Sequence, residues 1–289
     1  MTLIVASFYK FVHLPDFAAK QQPLLSYCQA QGVKGSILLA AEGINGTIAA
    51  ISQQSIDAVI SFLRSDLRLK DLEYKLSSAQ SPPFERMKVR LKREIVTLGL
   101  PVDPNQQVGT YVSPQEWNAI VNDPDVTIID TRNDYEVNIG TFKRAQNPNT
   151  SSFNQFPEYI NQHLDPAKHK KVALFCTGGI RCEKASSLLL SQGFAQVYHL
   201  KGGILKYLEE VPTSESLWQG ECFVFDERVA LQHGLQPGTY QLCRSCGNPV
   251  AQKDLASAPH QDIACPHCGP NLLLQEMSTS QTPLRQFHC

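Results

Sequence analysis

The residues best suited to chemistry lie in the stretch FCTGGIRCEKASSLL, residues 175–189. Cys176 ends an apolar run that predicts a buried strand, and Arg181 opens a helical pattern. The tight loop between them consists of Thr177, Gly178, Gly179 and Ile180. Backbone N–H groups converge where a strand turns into a helix, and the helix dipole is positive there. We therefore expect Cys176 to be a nucleophile, open to a reactant, with a pKa below the free value of about 8.5. The alternative is a buried cysteine that only packs.

A second thiol lies close to the first in the chain. Cys182 follows Cys176 by six positions and falls on the first turn of the predicted helix. A second thiol of this kind can resolve an oxidised first one by forming a disulfide with it. An inert packing role is an equal alternative, so Cys182 is a possible resolving thiol.

Two further cysteine pairs have the spacing of metal ligands. CRSCGNP and CPHCGP each contain C-x-x-C followed by glycine, and the interval between them suits a zinc ribbon. Four thiolates leave no coordination position for a substrate, so the zinc should be structural and should help its segment to fold. Two independent redox pairs are the alternative. The predicted zinc ligands are Cys243, Cys246, Cys265 and Cys268.

The stretch FERMKVRLKR alternates basic and apolar residues. Successive side chains of a strand point to opposite faces, so Met87, Val89 and Leu91 are expected to enter a core while the basic residues form a ridge. Cations spaced at about 7 Å suit a phosphate backbone, although solvated basic strands are also common. The predicted RNA-binding residues are Arg86, Lys88, Arg90 and Lys92.

Residues 1–100 predict a ferredoxin-like α+β domain. The expected elements are a strand at 3–12, a helix at 16–31 that contains Pro23, two strands joined by a tight turn at Asn45-Gly46, a helix at 52–63 capped by Ser52, and a strand near 86–98. The order strand, helix, strand, strand, helix, strand is that of the split βαβ arrangement.

Residues 101–212 predict a parallel α/β domain that follows a linker rich in proline and glycine. Ser113, Pro114 and Glu116 supply an N-cap, a first-turn proline and a capping-box acid. Predicted strands at 126–132, 170–176 and 196–203 alternate with helices, which indicates helices on both faces of a parallel sheet. Ligands of such sheets bind at the carboxyl ends of the strands, where Asp130 and Cys176 fall.

Residues 213–289 have weak periodicity and frequent cysteine, proline and glycine, as in a small metal-binding module. The 26 basic and 27 acidic residues of the chain nearly cancel, so an RNA surface must be a local patch. The sequence shows no signal-peptide pattern and no apolar stretch long enough to span a membrane. These features predict a cytoplasmic protein without a membrane partner, whose cysteines are metal ligands or reactive thiols before they are disulfides.

The loop from Cys176 to Arg181 has the form C-x-x-G-x-R and resembles the active loop of the rhodanese family, which carries a cysteine persulfide. The stretch DTRNDYEVNIGTFKRAQN is similar to a second rhodanese motif, through Asp130, Arg132, Glu136 and Gly140. It departs from that motif at Thr141, where the family usually has histidine. The predicted catalytic residues are Cys176, Arg181, Asp130 and Arg132. For Asp130 and Arg132, a structural ion pair is an equal alternative.

The whole chain resembles a bacterial family of oxygen-dependent tRNA uridine hydroxylases. The matching stretches are AAEGINGT, DTRNDYEVNIGTF, FCTGGIRCEKA and GECFVFDERVAL. The resemblance implies an acylphosphatase-like domain, a rhodanese domain and a cysteine-rich C-terminal segment. It also implies hydroxylation of the wobble uridine to 5-hydroxyuridine, with the anticodon region of tRNA as partner, no DNA partner, molecular oxygen as co-substrate and Cys176 as the essential cysteine.

The sequence does not identify a redox cofactor. It contains no haem motif, no dinucleotide-binding fingerprint and no two-histidine-one-carboxylate iron site. Two other functions remain open: a sulfurtransferase that carries a persulfide on Cys176, and an RNA-binding protein whose rhodanese domain is inactive. The set of tRNAs and the oligomeric state are not indicated.

Overall fold

The computed structural model describes residues 2–252 and 265–268. This part of the chain contains a five-stranded sheet, a four-stranded sheet and three short two-stranded pairings. None of the helices in the described ranges has the length and apolar character of a membrane-spanning segment.

The N-terminal domain forms the five-stranded sheet. Its elements are β1 (Leu3–Phe11), α1 (Phe17–Ala30), β2 (Lys34–Ala40), β3 (Gly43–Ala50), α2 (Gln53–Arg64), β4 (Tyr74–Ala79) and β5 (Met87–Leu91). The strand order is β4-β1-β3-β2-β5, and β5 runs parallel to β2. The first six elements confirm the ferredoxin-like arrangement, with β5 added at one edge.

Strand β4 was not expected from the sequence, and the strand near 86–98 is the fifth strand, not the fourth. The sequence of β4, YKLSSA, is mostly polar because this edge strand buries only its last residue, Ala79. Its Leu76 is exposed. An edge strand of this kind has too little apolar periodicity to be recognised from sequence.

The β2–β3 hairpin is present, but its predicted turn is wrong. Ala40 pairs with Gly43, so the chain reverses at residues 41–42 and Asn45-Gly46 lies inside β3. A Cβ on Gly46 would lie 2.8 Å from the Phe8 ring. This glycine therefore serves close packing between strands, not a turn.

Helices α1 and α2 cover one face of the five-stranded sheet. The predicted stripe of α2 is buried in this core: Ile56, Val59, Ile60 and Leu63. Ser52 caps α2 by accepting a hydrogen bond from the Ser55 backbone N–H, as predicted. Pro23 lies within α1.

Apart from a 3-10 turn at Phe153–Gln155, the central domain has ten strands and α-helices: β6 (Thr110–Val112), α3 (Pro114–Asn122), β7 (Val126–Asp130), α4 (Asp134–Val137), β8 (Gly140–Phe142), α5 (Phe156–His163), β9 (Lys171–Phe175), α6 (Ile180–Ser191), β10 (Gln196–Leu200) and α7 (Gly203–Glu210). The sheet order is β6-β10-β9-β7, and all pairings are parallel. One core cluster contains residues of α5 and α6, and another contains residues of α3 and α7. The predicted sheet with helices on both faces is confirmed, as is the capping box at Ser113 and Glu116.

The chain after residue 212 packs against the central domain before it reaches the cysteine pairs. Strand β11 (Trp218–Gly220) pairs with β8, and the Trp218 ring lies 5.1 Å from that of Phe142. Two further hairpins follow: β12 (Cys222–Phe223) with β13 (Ala230–Leu231), and β14 (Tyr240–Leu242) with β15 (Pro249–Ala251). The domain boundaries at residues 100 and 212 stay predictions.

The first two domains are joined at a buried lysine. Lys184 of α6 is 1% exposed, and its Nζ forms ion pairs with Glu42 at 2.7 Å and with Glu94 at 2.6 Å. Glu42 lies in the β2–β3 turn, and Glu94 lies in the segment after β5. Because one buried cation needs both carboxylates, this cluster holds the first sheet against the helix that begins at the thiol loop.

Candidate active site and metal centre

Cys176 lies at the carboxyl end of β9, beside the end of β7. Asp130 pairs with Phe175, so the motif that begins at Asp130 and the loop that begins at Cys176 reach the same edge of the sheet. The Gly179 N–H donates a hydrogen bond to the Cys176 sulfur at 3.1 Å. The carbonyl groups of Cys176 and Thr177 turn away and accept hydrogen bonds from the N–H groups at the start of α7. The loop therefore presents donors to the sulfur and directs its acceptors elsewhere.

These contacts favour the anionic form of Cys176. Burial alone would raise the pKa of this thiol. Hydrogen bonds from the Cys182 thiol and from the backbone N–H groups of Cys182 and Arg181, together with the charge of Arg181, lower it to about 5. Burial and the neighbouring Cys176 raise the pKa of Cys182 well above its ordinary value. At neutral pH the pair therefore holds one proton, on Cys182, and one negative charge, on Cys176. The two thiols are free, and the resolving role of Cys182 stays a prediction.

Arg181 is held by a carboxylate from the second predicted motif. Its two terminal nitrogens donate to the two carboxylate oxygens of Glu136 at 2.6 and 2.8 Å. Both side chains are buried. Burial would raise the pKa of Glu136, but the adjacent Arg181 charge holds it below the ordinary value. This two-point ion pair connects the start of α6 to α4 and orients the cation beside the thiolate.

Asp130 and Arg132 form a fully buried ion pair. Arg132 donates to both carboxylate oxygens of Asp130 at 2.9 and 2.6 Å, and to the Gly140 carbonyl at 2.5 Å. Thr141, at the position where the resembled motif usually has histidine, donates to Asp130 at 2.8 Å. These contacts are those of a structural pair that shapes the turn between β7 and β8. The catalytic role of Asp130 and Arg132 stays a prediction.

The first domain adds residues that the sequence did not point to. Lys75 of β4 donates to the carbonyl oxygens of Gly178 and Gly202, both at 2.6 Å. Burial lowers the pKa of Lys75 to about 8. Tyr9 of β1 donates to Glu183 of α6 at 2.9 Å. These residues escaped sequence reasoning because β4 lacks a recognisable pattern, and because only the fold brings residues 9 and 75 to the thiol loop.

The expectation that the sulfur is open to a reactant is wrong for this structure. Cys176 is 0% exposed. Lys75 of the first domain covers one side of the thiol loop. The segment that contains Phe223 covers another side, where the Phe223 carbonyl accepts a hydrogen bond from Thr177 at 3.5 Å. A reactant therefore reaches the sulfur only when groups over the loop move.

The four C-terminal cysteines form a cluster that can hold a metal ion. Their sulfur atoms all lie within 4.8 Å of one another. The Cys243 and Cys268 sulfurs are 3.8 Å apart, and those of Cys246 and Cys265 are 3.7 Å apart. A tetrahedral site with Zn–S bonds of about 2.3 Å requires S···S distances of about 3.8 Å. The donor set therefore fits zinc.

The basic strand β5 lies at the sheet edge opposite β4, the strand that supplies Lys75. Met87 and Val89 are buried and Lys88 and Arg90 are half-buried, as the alternation predicted. The expectation that Leu91 enters the core is wrong, since it is 40% exposed at the strand end. The other two basic residues, Arg86 and Lys92, flank β5. Four strand spacings, about 19 Å, separate β5 from β4.

Comparison with known proteins adds independent findings. The UPF0176 acylphosphatase like domain matches residues 3–95, and the Rhodanese-like domain matches residues 113–210. A tRNA uridine(34) hydroxylase of Picosynechococcus sp. is 59% identical over 92% of this chain and 89% of that protein. A tRNA uridine(34) hydroxylase of Teredinibacter turnerae is 56% identical over 92% of this chain and 83% of that protein. Among solved structures, the rhodanese-like domain of an Anabaena sp. protein is 19% identical, covers 39% of this chain and 80% of that chain, and gives a TM-score of 0.33.

Proposed function

The chain belongs to the tRNA uridine(34) hydroxylase family, and on that premise we propose that it hydroxylates the wobble uridine of tRNA to 5-hydroxyuridine. It is a tRNA-modifying enzyme and an oxidoreductase. The sequence identity of 59% over 92% of the chain supports this conclusion. The acylphosphatase-like and rhodanese-like domains occupy the order that the whole-chain resemblance implied.

The observation that carries a catalytic role for Cys176 is the hydrogen bond that its sulfur accepts from the loop backbone, at the start of the helix that bears Arg181. The Gly179 N–H at 3.1 Å and the neighbouring Arg181 cation keep the sulfur anionic at neutral pH. A thiolate is a strong nucleophile, and C6 of uracil is an electrophilic carbon. We assign Cys176 to attack at C6, which makes C5 nucleophilic toward oxygen. Oxygen bonds to C5 as a peroxide, and a two-electron thiol reductant from outside the protein cleaves its O–O bond, is oxidised to a disulfide and releases the outer oxygen as water. Loss of the C5 proton and release of the thiolate then restore the ring with one oxygen left on C5.

The remaining chemistry comes from outside the thiol loop. Molecular oxygen is the co-substrate in this proposal, and zinc bound by the four cysteines is structural because all four ligand positions are thiolates. The partner is the anticodon region of tRNA, where the reacting uridine lies, and the enzyme acts in the cytoplasm. Phosphate contacts are assigned to the basic residues of the β5 edge, Arg86, Lys88, Arg90 and Lys92.

The decisive experiment is nucleoside mass spectrometry of tRNA from a deletion strain that also lacks redundant routes to 5-hydroxyuridine. Wild-type protein should restore the 5-hydroxyuridine-derived nucleosides, and Cys176→Ser should not. Cys28→Ser is the matched control, because Cys28 is a buried cysteine in the core of the first domain. Full restoration by Cys176→Ser would remove this cysteine from the mechanism. No restoration by the wild type would remove the proposed function.

A sulfurtransferase is the second candidate, favoured by the loop itself. A thiolate surrounded by backbone donors suits a cysteine persulfide as well as it suits attack on a base. Thiosulfate-to-cyanide sulfur transfer by the purified protein, without any effect on tRNA nucleosides, would support this candidate over hydroxylation.

A further inference from the structure

The face of the first sheet opposite α1 and α2, part of which packs against α6, has an unusual row of side chains. The strand register places five residues side by side across all five strands: Lys88, Ser36, Thr47, Ser7 and Lys75. All five residues are half-buried, and the Lys75 ammonium is enclosed against the carbonyl groups of Gly178 and Gly202. We call this set the hydroxyl row. It has three small hydroxyl side chains at its centre and a lysine at each end.

A second row lies next to the first on the same face. It runs from Arg90 through Leu38 and Asn45 to Tyr9. The strand positions on this face, all within the described residues 3–91, include no aspartate or glutamate. These two rows therefore combine cations with neutral side chains, next to the buried apolar residues Val5, Ala49 and Ala79 on the same face, and their cations would attract an anion at the β5 end.

Both rows end at the thiol loop. Lys75, the last residue of the hydroxyl row, donates to the Gly178 carbonyl beside Cys176. Tyr9, the last residue of the second row, donates to Glu183 on the first turns of α6. The row thus connects the basic β5 edge to the candidate nucleophile across about 19 Å of sheet.

We propose that this face is a binding track for single-stranded RNA, whose sugar–phosphate backbone crosses the strands from β5 to the thiol loop. The inference rests on the proposed function, which supplies an RNA substrate with a base that must reach Cys176. Lysine, arginine and hydroxyl side chains are the groups that contact phosphate and ribose, and they position a strand without reading its sequence. A protein interface would instead have an apolar, aromatic centre, whereas the centre here is Ser36, Thr47 and Ser7.

The first test places a negative charge in the middle of the row. Ser36→Asp should weaken binding of an unmodified substrate tRNA by the full-length protein at least about tenfold, because the carboxylate would face phosphates. Ser61→Asp is the matched control, since Ser61 is an exposed serine on α2, on the opposite side of the sheet. Fluorescence anisotropy measures both affinities. Equal affinities for the two variants would overturn the track.

A second test uses side chains whose loss leaves the fold intact. Replacing Lys88 and Arg90 together by glutamine should lower the slope of log affinity against log salt by about 1.4, at about 0.7 for each phosphate contact to a single strand. An unchanged slope would exclude β5 as the start of the track.

The same protein preparations separate this inference from the proposed function. Wild-type protein that hydroxylates tRNA, combined with Ser36→Asp that binds tRNA normally, would overturn the track and leave the function standing. If Ser36→Asp weakens tRNA binding but the wild-type protein yields no hydroxylated product, the result would support the track and count against the proposed function.

Discussion

The protein contains two cysteine sites that stabilise sulfur anions in different ways. In the C-terminal cluster, four thiols lie within 4.8 Å of one another and need a metal cation to offset their charge. In the thiol loop, Cys176 and Cys182 hold one proton between them, and backbone N–H groups and Arg181 stabilise the remaining charge. The four cysteines of the cluster come from two short C-x-x-C segments. The loop depends on contacts from Glu136, Lys75 and Phe223, which come from three separate parts of the chain.

Spacing along the chain is therefore sufficient to recognise a metal site but not to describe a reactive thiol. In a C-x-x-C segment, a few neighbouring residues fix the positions of two metal ligands, so the pattern is visible in the sequence. The reactivity of a thiol depends on charges and on cover that come from distant segments. Four experiments test the contrast.

The largest effect is expected from breaking the metal cluster. Cys243→Ser or Cys265→Ser should reduce bound zinc to background and unfold the C-terminal segment, because structural zinc binding contributes about 10 kcal/mol or more. Elemental analysis by mass spectrometry measures the zinc. Cys176→Ser should keep a full zinc content, and zinc loss in that variant would contradict the separation of the two sites.

The next effect concerns the buried ion pair behind the loop. Glu136→Gln should destabilise the protein by about 3–5 kcal/mol at pH 7, because it leaves the Arg181 charge buried without its partner. Since the folded-state pKa of Glu136 is depressed, this stabilisation is present above the ordinary value of 4.5 and is lost as pH falls through the folded-state pKa.

Urea unfolding of the two proteins measures this difference. Glu158→Gln, at an exposed glutamate of α5, is the control and should change stability little. A loss below about 1 kcal/mol for Glu136→Gln would show that the pair is a weak, solvated one.

A smaller effect is expected at the interface between the first domain and the loop. Iodoacetamide labelling of Cys176 should be slow because the sulfur is buried, and its rate should fall as pH drops through about 5. Lys75→Met should move this midpoint upward by about one pH unit, since it removes a nearby positive charge that favours the thiolate. Lys75→Arg keeps the positive charge and should therefore keep the wild-type midpoint.

Peptide mapping by mass spectrometry follows Cys176 separately from the zinc ligands. An unchanged midpoint in Lys75→Met would mean that Lys75 only packs over the loop. A midpoint near the ordinary thiol value in the wild type would contradict the thiolate itself.

The smallest effect is expected at Thr141. Thr141→Val removes the hydrogen bond to Asp130 and should cost about 1 kcal/mol of stability. Thr213→Val, at an exposed threonine, is the control. Thermal unfolding measures both, and equal melting temperatures would show that Asp130 is held by Arg132 alone.

Several parts of the fold were predictable because their signals are local. The capping box at Ser113 and Glu116, the apolar stripe of α2 and the alternation of strands with helices after residue 113 were all confirmed. The turn at Asn45-Gly46 was wrong because a glycine that permits close strand packing has the same local appearance as a turn glycine.

The candidate site was predictable only in part. The sequence identified Cys176 and its loop, and it brought Asp130 to the same sheet edge through the rule for parallel strands. It did not identify Lys75 or Tyr9, because these residues lie about a hundred or more positions away and reach the loop only through the packing of two domains. It also expected an open sulfur, whereas the fold encloses it.

The two domain types, the thiol at the end of a buried strand and the four-cysteine cluster were all visible in the sequence. Each of these follows from periodicity or spacing over a few residues, which is where backbone geometry and ligand geometry operate. Only the tertiary structure decided how the thiol is enclosed, which cation from the first domain lies over its loop, and which polar groups line the sheet face that leads to it. Burial and electrostatic interactions depend on distances through space, and separation along the chain does not set those distances.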